Sequence, residues 1–312
     1  MTSPPEWSPE RTIDVGRAAE VIATQFPELA ELPVRAFDSG WDNLVLAVGD
    51  DWVFRFIHRG VALPGAAREL AVLTCLADRF AVPVPHPEHV GTPAPGLDWP
   101  FWGTRRLPGR EIARSGLPDH ARVPAARALG RFLRELHAPD LADEVTAAVT
   151  ARGVTLPVDP MRRADSRHVL GRAQERLARL EHDGVALPSR LADLTDRAAA
   201  LDPPSGTGVL LHGDLHVRHV LVDDDAAVTG VIDWGDTALG DPAVDLMIAF
   251  SAFTGPARAA FFEEYGSVDP DRETRARMLA VHVCATLAEY ARAERMHDVA
   301  AEAVRGIARA VD

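Results

Sequence analysis

The sequence predicts an α+β protein in which a small antiparallel sheet with a helix precedes a larger, mainly helical part. Three observations carry that expectation. Residues 34–57 alternate apolar and polar positions with period two between tight turns; beyond about residue 110 the apolar residues recur at helical spacing; and the block 209–245 inserts three short apolar runs among most of the chain's polar chemistry. The order of these textures, sheet first and helices after, separates two parts rather than interleaving them.

Taken in order, Ile13, Ala18, Val21, Ile22 and Phe26 stand at helical spacing, so a helix is expected over 10–31, broken by Pro33. Val34 and Ala36, the turn Asp38 to Asn43, Leu44 to Val48, the turn Gly49 to Asp51, and Trp52 to Ile57 read as a three-stranded meander. Leu70, Leu73, Leu76 and Ala77 put a helix over 62–80 that carries Glu69, and Pro83, Pro85 and Pro87 follow as an extended segment. Strand texture returns at 88–92 and 99–107. The helical part then offers a helix with Ala126, Leu129, Leu133 and Leu136 on one face. Further helices are expected at 164–182, 188–201, 245–253, 257–265, 274–294 and 299–311. The texture changes at Leu107-Pro-Gly109, so residues 1–107 are expected to form an N-terminal lobe and 108–312 a C-terminal lobe, with a cleft between them.

The 312 residues are 47% hydrophobic, ample for a folded core. The two cysteines, Cys75 and Cys284, lack the spacing of a disulfide framework or a zinc site, and no export signal or membrane span is evident. The expected protein is cytoplasmic, a monomer or weak dimer, and without a membrane partner. Its net charge of −13 excludes a nucleic-acid partner, which needs a concentrated basic face, and favours a cationic small molecule. The chain contains no lysine, so any side-chain cation on a phosphate must be arginine.

The chemistry concentrates in His212-Gly-Asp-Leu-His-Val-Arg-His219, Ile232-Asp-Trp-Gly-Asp236 and Asp241-Pro-Ala-Val-Asp245. Asp214 and Asp233 both stand just past apolar runs, where a strand end can aim a side chain at a ligand. An Asp in a turn, a metal-binding side chain five residues on, and a second Asp after the next strand are parts that phosphoryl transfer uses. His212, Asp214, His216 and His219 also have the spacing of a transition-metal cluster, although the second carboxylate at 233 is better explained by Mg²⁺. His212 reads as a structural brace of the loop, and Asp245 as a buried carboxylate accepting its backbone N–H groups.

These motifs resemble the catalytic and metal-binding loops of the aminoglycoside phosphotransferase and choline kinase family, which has the protein-kinase-like two-lobe fold. The resemblance implies Asp214 as the group that orients the attacking hydroxyl and takes its proton, and His219 and Asp233 as ligands of Mg²⁺. It also implies Arg55 on the third strand as the phosphate-binding cation with Glu69 as its ion-pair partner. Ser39-Gly40-x-Asp42-Asn43 is similar to the family's nucleotide-covering turn, which puts Ser39 and Asn43 beside the nucleotide, and Arg106-Leu-Pro-Gly109 to its hinge exit. His219, where most of the family has Asn, is similar to the macrolide 2′-phosphotransferase branch, whose members commonly use GTP. The implied function is transfer of the γ-phosphoryl group of ATP or GTP to a hydroxyl of a cationic small molecule, an aminoglycoside or macrolide antibiotic first. A metabolite kinase of the choline, sugar or homoserine type, or a nucleotide-binding regulator without turnover, would carry the same motifs. Asp236, Glu263 and Glu289 are the acidic residues nominated for the acceptor.

Overall fold

The computed structural model describes residues 9–39, 42–205 and 208–312, with only the backbone of residues 38 and 39. Helix α1 (Val15–Gln25) opens where the Asp14 carboxylate accepts the Arg17 N–H at 2.7 Å, and it buries Ala18, Val21 and Ile22. It ends earlier than its apolar spacing suggests. Phe26 precedes Pro27, the proline ring disfavours helical backbone at the residue before it, and the chain passes into a short 3-10 turn.

Five antiparallel strands follow: β1 (Val34–Ser39), β2 (Asn43–Val48), β3 (Trp52–Ile57), β4 (Pro87–Gly91) and β5 (Phe101–Arg105), in the order β1-β2-β3-β5-β4. Strand alternation decides what β3 does. Trp52, Phe54 and Phe56 go into the core with α1, so Arg55 lies on the other face, between Val45 and Trp102 of the flanking strands. Gly103 is required opposite Phe54, because a Cβ there would meet the Phe54 ring at 2.4 Å.

Helix α2 (Leu63–Leu76) covers the face that carries Arg55 and ends before Asp78, which takes left-handed backbone. It ties the lobes together. Its Glu69 is buried near the sheet, whereas Val72, Leu73 and Leu76 belong to the large core of the C-terminal part. That part begins with β6 (Arg110–Glu111), α3 (Ile112–Ser115), α4 (Val123–Leu136), α5 (Pro139–Thr150), α6 (Ser166–His182) and α7 (Leu191–Ala200). It continues through β7 (Val209–Leu211), β8 (Val220–Val222), β9 (Val228–Val231) and β10 (Ala238–Gly240), then α8 (Ala243–Ser251), α9 (Gly255–Tyr265), α10 (Pro270–Ala293) and α11 (His297–Ala310).

The predicted sheet-then-helix order is therefore what the chain adopts. Four of these helices and strands lay outside the sequence reading: α3, α5, β6 and β10. The two strands owe their existence to partners far along the chain, β6 pairing with β8 and β10 with β7. All nine residues of α8 are buried, including Asp245 in its first turn. Among the described residues no helix is long and apolar enough to cross a membrane.

Candidate active site

The loop after β7 is held from beneath. Asp245 accepts the backbone N–H groups of His212 at 2.8 Å and Gly213 at 2.9 Å, and its third contact is the His137 Nε2 at 3.2 Å. His137 in turn meets the Tyr265 hydroxyl through Nδ1 at 3.0 Å. Burial alone pushes Asp245 up, but the His137 bond, the nearby imidazoles and the backbone donors outweigh it and hold the carboxyl below its usual range. An ionised Asp245 is what keeps both loop donors satisfied. Gly213 has φ of +89°, and a Cβ there would meet the Asp236 carbonyl at 2.2 Å, so the turn into Asp214 admits only glycine.

His212 is a brace. Its Nε2 donates to the Ile232 carbonyl at 3.0 Å and its Nδ1 accepts the Asp214 N–H at 3.3 Å, so both nitrogens are used and the ring is neutral. Burial keeps it so by lowering its pKa. His216 is likewise neutral, pushed well down by burial and then by His219 and Arg218, and its Nδ1 accepts the Arg218 N–H at 3.2 Å. Its ring stacks on that of His219 with centroids 3.9 Å apart.

His219 has one nitrogen committed and one open. Nδ1 donates to the Asp214 carbonyl at 2.8 Å, so in the neutral ring the Nε2 lone pair faces Asp233 Oδ2 at 3.3 Å. That tautomer and that carboxylate form an N,O donor pair suited to a divalent cation. Asp214, His216 and His219 also bring one ligand atom each within 4.8 Å of the others, but the Nδ1–H of His219 is already given to the loop carbonyl. His212, bonded through both nitrogens, is excluded from any such cluster.

Asp233 follows β9 with φ of +68°, left-handed backbone that a non-glycine residue adopts at some strain. Its Oδ1 lies 3.1 Å from Arg55 Nη2, and Arg55 Nη1 pairs with Glu69. Burial would raise the Asp233 pKa, yet Arg55, His219 and His212 together hold it well below the ordinary carboxylate range. Burial pushes Glu69 up to about 6, with Asp233 adding to the rise and Arg55 and the Trp234 N–H opposing it. Arg68 donates to the Gly235 carbonyl at 3.3 Å, a second tie between α2 and this loop.

The structure thus brings Asp214, His219, Asp233, Arg55 and Glu69 to one place, with His212 and Asp245 behind them. Asn43, at the start of β2, has its Oδ1 buried without a partner among the described residues. Its neighbour Asp42 pairs with Arg59 at 2.8 Å; burial pushes the Asp42 carboxyl up, and Asp233 and Asp236 add to that rise across the cleft. The Ser39 side chain and Gly40 lie outside the described residues. Of the three acidic residues nominated for an acceptor, Asp236 sits beside the loop but is paired with Arg163 at 2.7 Å. Glu289 on α10 pairs with Arg176 and Arg179 at 2.5 Å each, and Glu263 on α9 pairs with Arg127 of α4 at 2.8 Å.

Although the insert around Asp159 to Arg176 was expected to help build the acceptor pocket, Arg163 is a residue that sequence reasoning did not name. It donates to the Gly213 carbonyl, approaches Asp214 Oδ1 at 3.4 Å, and is itself anchored where Asp159 accepts the N–H groups of Arg163 and Ala164 at 2.8 and 2.9 Å. No local pattern marks an arginine whose partners lie fifty or more residues away. His137, as the support of Asp245, escaped for the same reason.

The arrangement places a half-exposed carboxylate, a cation held by a buried partner and an N,O metal donor pair on one cleft, which suits transfer of a charged group to a nucleophile. The family model described as "Phosphotransferase enzyme family" (APH) matches residues 33–280. The protein named "Uncharacterized protein YcbJ" of Bacillus subtilis (strain 168) is 26% identical over 270 residues, spanning 80% of this chain and 79% of its own. Among solved structures, the GDP complex of wild-type aminoglycoside 2′-phosphotransferase-IIIa aligns with a TM-score of 0.68 at 24% identity, covering 96% of this chain and 99% of that one. The macrolide 2′-phosphotransferase MphH from Brachybacterium faecium, as apoenzyme, aligns with a TM-score of 0.57 at 26% identity over 94% and 97% of the two chains. These neighbours share the protein-kinase-like architecture, and the matched span includes both the Arg55–Glu69 pair and the Asp214–Asp233 loops. The chain belongs to the phosphotransferase enzyme family.

Proposed function

We propose that the chain transfers the γ-phosphoryl group of ATP or GTP to a hydroxyl of a small molecule. The observation that carries this reading is the convergence of Asp214, His219 and Asp233 with an arginine that a buried glutamate holds in place. In this reading the lobe of residues 1–107 binds the nucleotide, and the lobe of 108–312 supplies the catalytic loop and the acceptor site. Asp214 orients the acceptor hydroxyl and takes its proton, worth about 10²–10⁴-fold in rate. Arg55 forks onto the nucleotide phosphates, the role that lysine cannot fill in a chain without lysine.

The donor set fits a divalent cation. Asp233 and His219 would hold it, Mg²⁺ first, and the mixed oxygen and nitrogen donors suit Mn²⁺ as a substitute. Such an ion, when bound, neutralises charge on the β- and γ-phosphates. Asp245 and His212 contribute by keeping the loop rigid, which fixes where Asp214 points.

Aminoglycoside and macrolide phosphotransferases among the relatives make antibiotics of those two classes the first acceptors to try. A second reading, phosphorylation of a small metabolite, is favoured by the arginine pairing of Asp236, Glu263 and Glu289, which removes all three carboxylates as simple anchors for an ammonium group. The experiment is product detection by mass spectrometry with ATP and GTP against a panel of aminoglycosides, macrolides and hydroxylated metabolites. Phosphorylated product that disappears in Asp214→Ala is the expected result. A chain that makes no Asp214-dependent product with any nucleotide and acceptor pair contradicts the reading.

A further inference from the structure

The acceptor has one flank of Asp214 open to it. Arg55, Glu69 and Asp233 take up the nucleotide side, so the hydroxyl must arrive from the side of Arg163 and Asp236. From Arg163 a row of side chains leads away along α6 and α10. The two helices run in the same direction past each other: Arg275, early in α10, donates to the Ala164 carbonyl at 3.4 Å, and Glu289, late in α10, pairs with Arg176 and Arg179 late in α6. His282 lies two turns after Arg275 and two before Glu289, hence on the same face of α10. It meets the middle of the α6 row, where His168, Arg172, Arg176 and Arg179 repeat at spacings of four, four and three.

This wall has more positive charge than it has partners. Arg176 and Arg179 share the single carboxylate of Glu289, and Arg172 has no ion pair or hydrogen bond among the described residues. Exposed Glu175 acts on Arg179. The His282 Nδ1 is buried without a hydrogen-bond partner among the described residues. Its imidazole is pushed down to about 4, first by burial and then by Arg176, Arg172, Arg163 and His168, which places all four cations or imidazoles around it. The chain's net charge of −13 does not cancel this field, because charges more than about 8 Å away are largely screened at physiological salt. An ammonium group entering here meets repulsion; a carboxylate or phosphate finds unused donors.

We propose that the wall formed by His168, Arg172, Arg176 and His282 binds an anionic group of the acceptor, a carboxylate or a phosphate, so that the enzyme phosphorylates an acidic small alcohol rather than a polycation. This rests on the phosphotransferase reading above. In the reaction the acceptor O–H gives its proton to Asp214, its oxygen bonds the γ-phosphorus, and the bond from that phosphorus to the bridging oxygen breaks, releasing nucleoside diphosphate.

Two matched series test it, each with the same hydroxyl and a different charge. One is 4-amino-1-butanol, 1,4-butanediol and 4-hydroxybutyrate; the other is glucosamine, glucose, glucuronate and glucose 6-phosphate, whose last two members separate carboxylate from phosphate. Transfer is measured with Mg²⁺ and ATP or GTP, for the wild type and for Arg172→Glu, an exposed position that folding tolerates. The anionic members should be preferred in kcat/KM by about tenfold or more, and Arg172→Glu should raise KM for them by about tenfold while moving KM of the neutral members less than about twofold. Preference for cationic or neutral members, no transfer to any anionic member, or an unchanged anionic KM in Arg172→Glu overturns the proposal. Nucleotide hydrolysis without acceptor tells the two failures apart. If it persists and depends on Asp214, the phosphotransferase reading stands while the acceptor proposal falls; if it too is absent, both fall.

Discussion

Two clusters of buried charge in this molecule use the same residue types and differ in what they leave open. In the C-terminal lobe, Glu302 is 1% exposed and accepts Arg122 at 2.6 Å, Arg309 at 2.8 Å and Arg305 at 2.7 Å. The remaining donors of Arg122 go to the carbonyls of Leu117 and Ala252, and those of Arg309 to Ser251 and Asp119. The cluster is closed on itself. At the cleft, Arg55 is shared between Glu69 and Asp233, and the Asp233 side chain is 40% exposed with an imidazole nitrogen of His219 3.3 Å from its second oxygen. Asp214 is 27% exposed beside it. A satisfied cluster fixes a structure, whereas one whose carboxylates still face outward is built for a ligand.

That contrast predicts opposite outcomes for removing one carboxylate from each cluster. Asp214→Ala should lower turnover by about 10²–10⁴-fold while moving the thermal midpoint by no more than about 2 °C, since its nearest cation is at 3.4 Å and partly exposed. A variant within threefold of wild type in a steady-state assay would sink the role of Asp214. Glu302→Ala should do the reverse, costing about 3–5 kcal/mol by taking the close carboxylate from buried Arg122 and leaving Arg309 with Asp119 alone, or about 10 °C in the midpoint. Its kcat well below that midpoint should stay within about twofold; calorimetry showing an unmoved midpoint would mean that the closed cluster contributes nothing.

The closed cluster also sets an acid limit. Burial alone would raise Glu302, but the hydrogen bond and charge of Arg122, then Arg309 and Arg305, hold it down at about 2, below its ordinary value of 4.5. A depressed carboxylate stabilises the fold fully above the ordinary value and loses that contribution as pH falls towards the folded one, here across about pH 4.5 to 2, an order of about 3 kcal/mol. Denaturant midpoints measured from pH 5 down to 2.5 should fall more steeply in wild type than in Glu302→Gln, and parallel curves would contradict the assignment. The open cluster gives the smallest effect. Arg55→Ala should raise the nucleotide KM by about tenfold, and Arg55→Lys should recover part of the loss by restoring a point charge without the fork. Equal KM for Arg55→Ala and wild type would remove Arg55 from the phosphate site.

Much of the open cluster was legible because its parts are written locally. The pattern Trp52-Val-Phe-Arg-Phe places Arg55 opposite the core-facing aromatics, and His212 to His219 and Ile232 to Asp236 follow short apolar runs that fold as β7 and β9. The closed cluster was invisible: Arg122 and Glu302 lie 180 residues apart, and each looks like an ordinary helix-surface charge until tertiary packing brings them together. Arg163 and His137 were lost in the same way. Helix α5 is a different failure, since Leu141, Ala142, Val145 and Val149 do stand at helical spacing, but only four apolar positions among Asp, Glu, Ala and Thr make a weak stripe. On the acceptor side, Asp236 and Glu289 count as free acids in a sequence and as paired ones once Arg163, Arg176 and Arg179 are placed.

The central claim, that the cleft cluster faces a metal-bound nucleotide, is tested most directly by titrating ATP and GTP into Asp233→Ala by calorimetry, with Mg²⁺ and with chelator. The claim predicts that wild type binds nucleotide more tightly with Mg²⁺ and that the variant, still folded with a midpoint near that of wild type, shows no such gain. A variant that keeps the full Mg²⁺-dependent gain would contradict it.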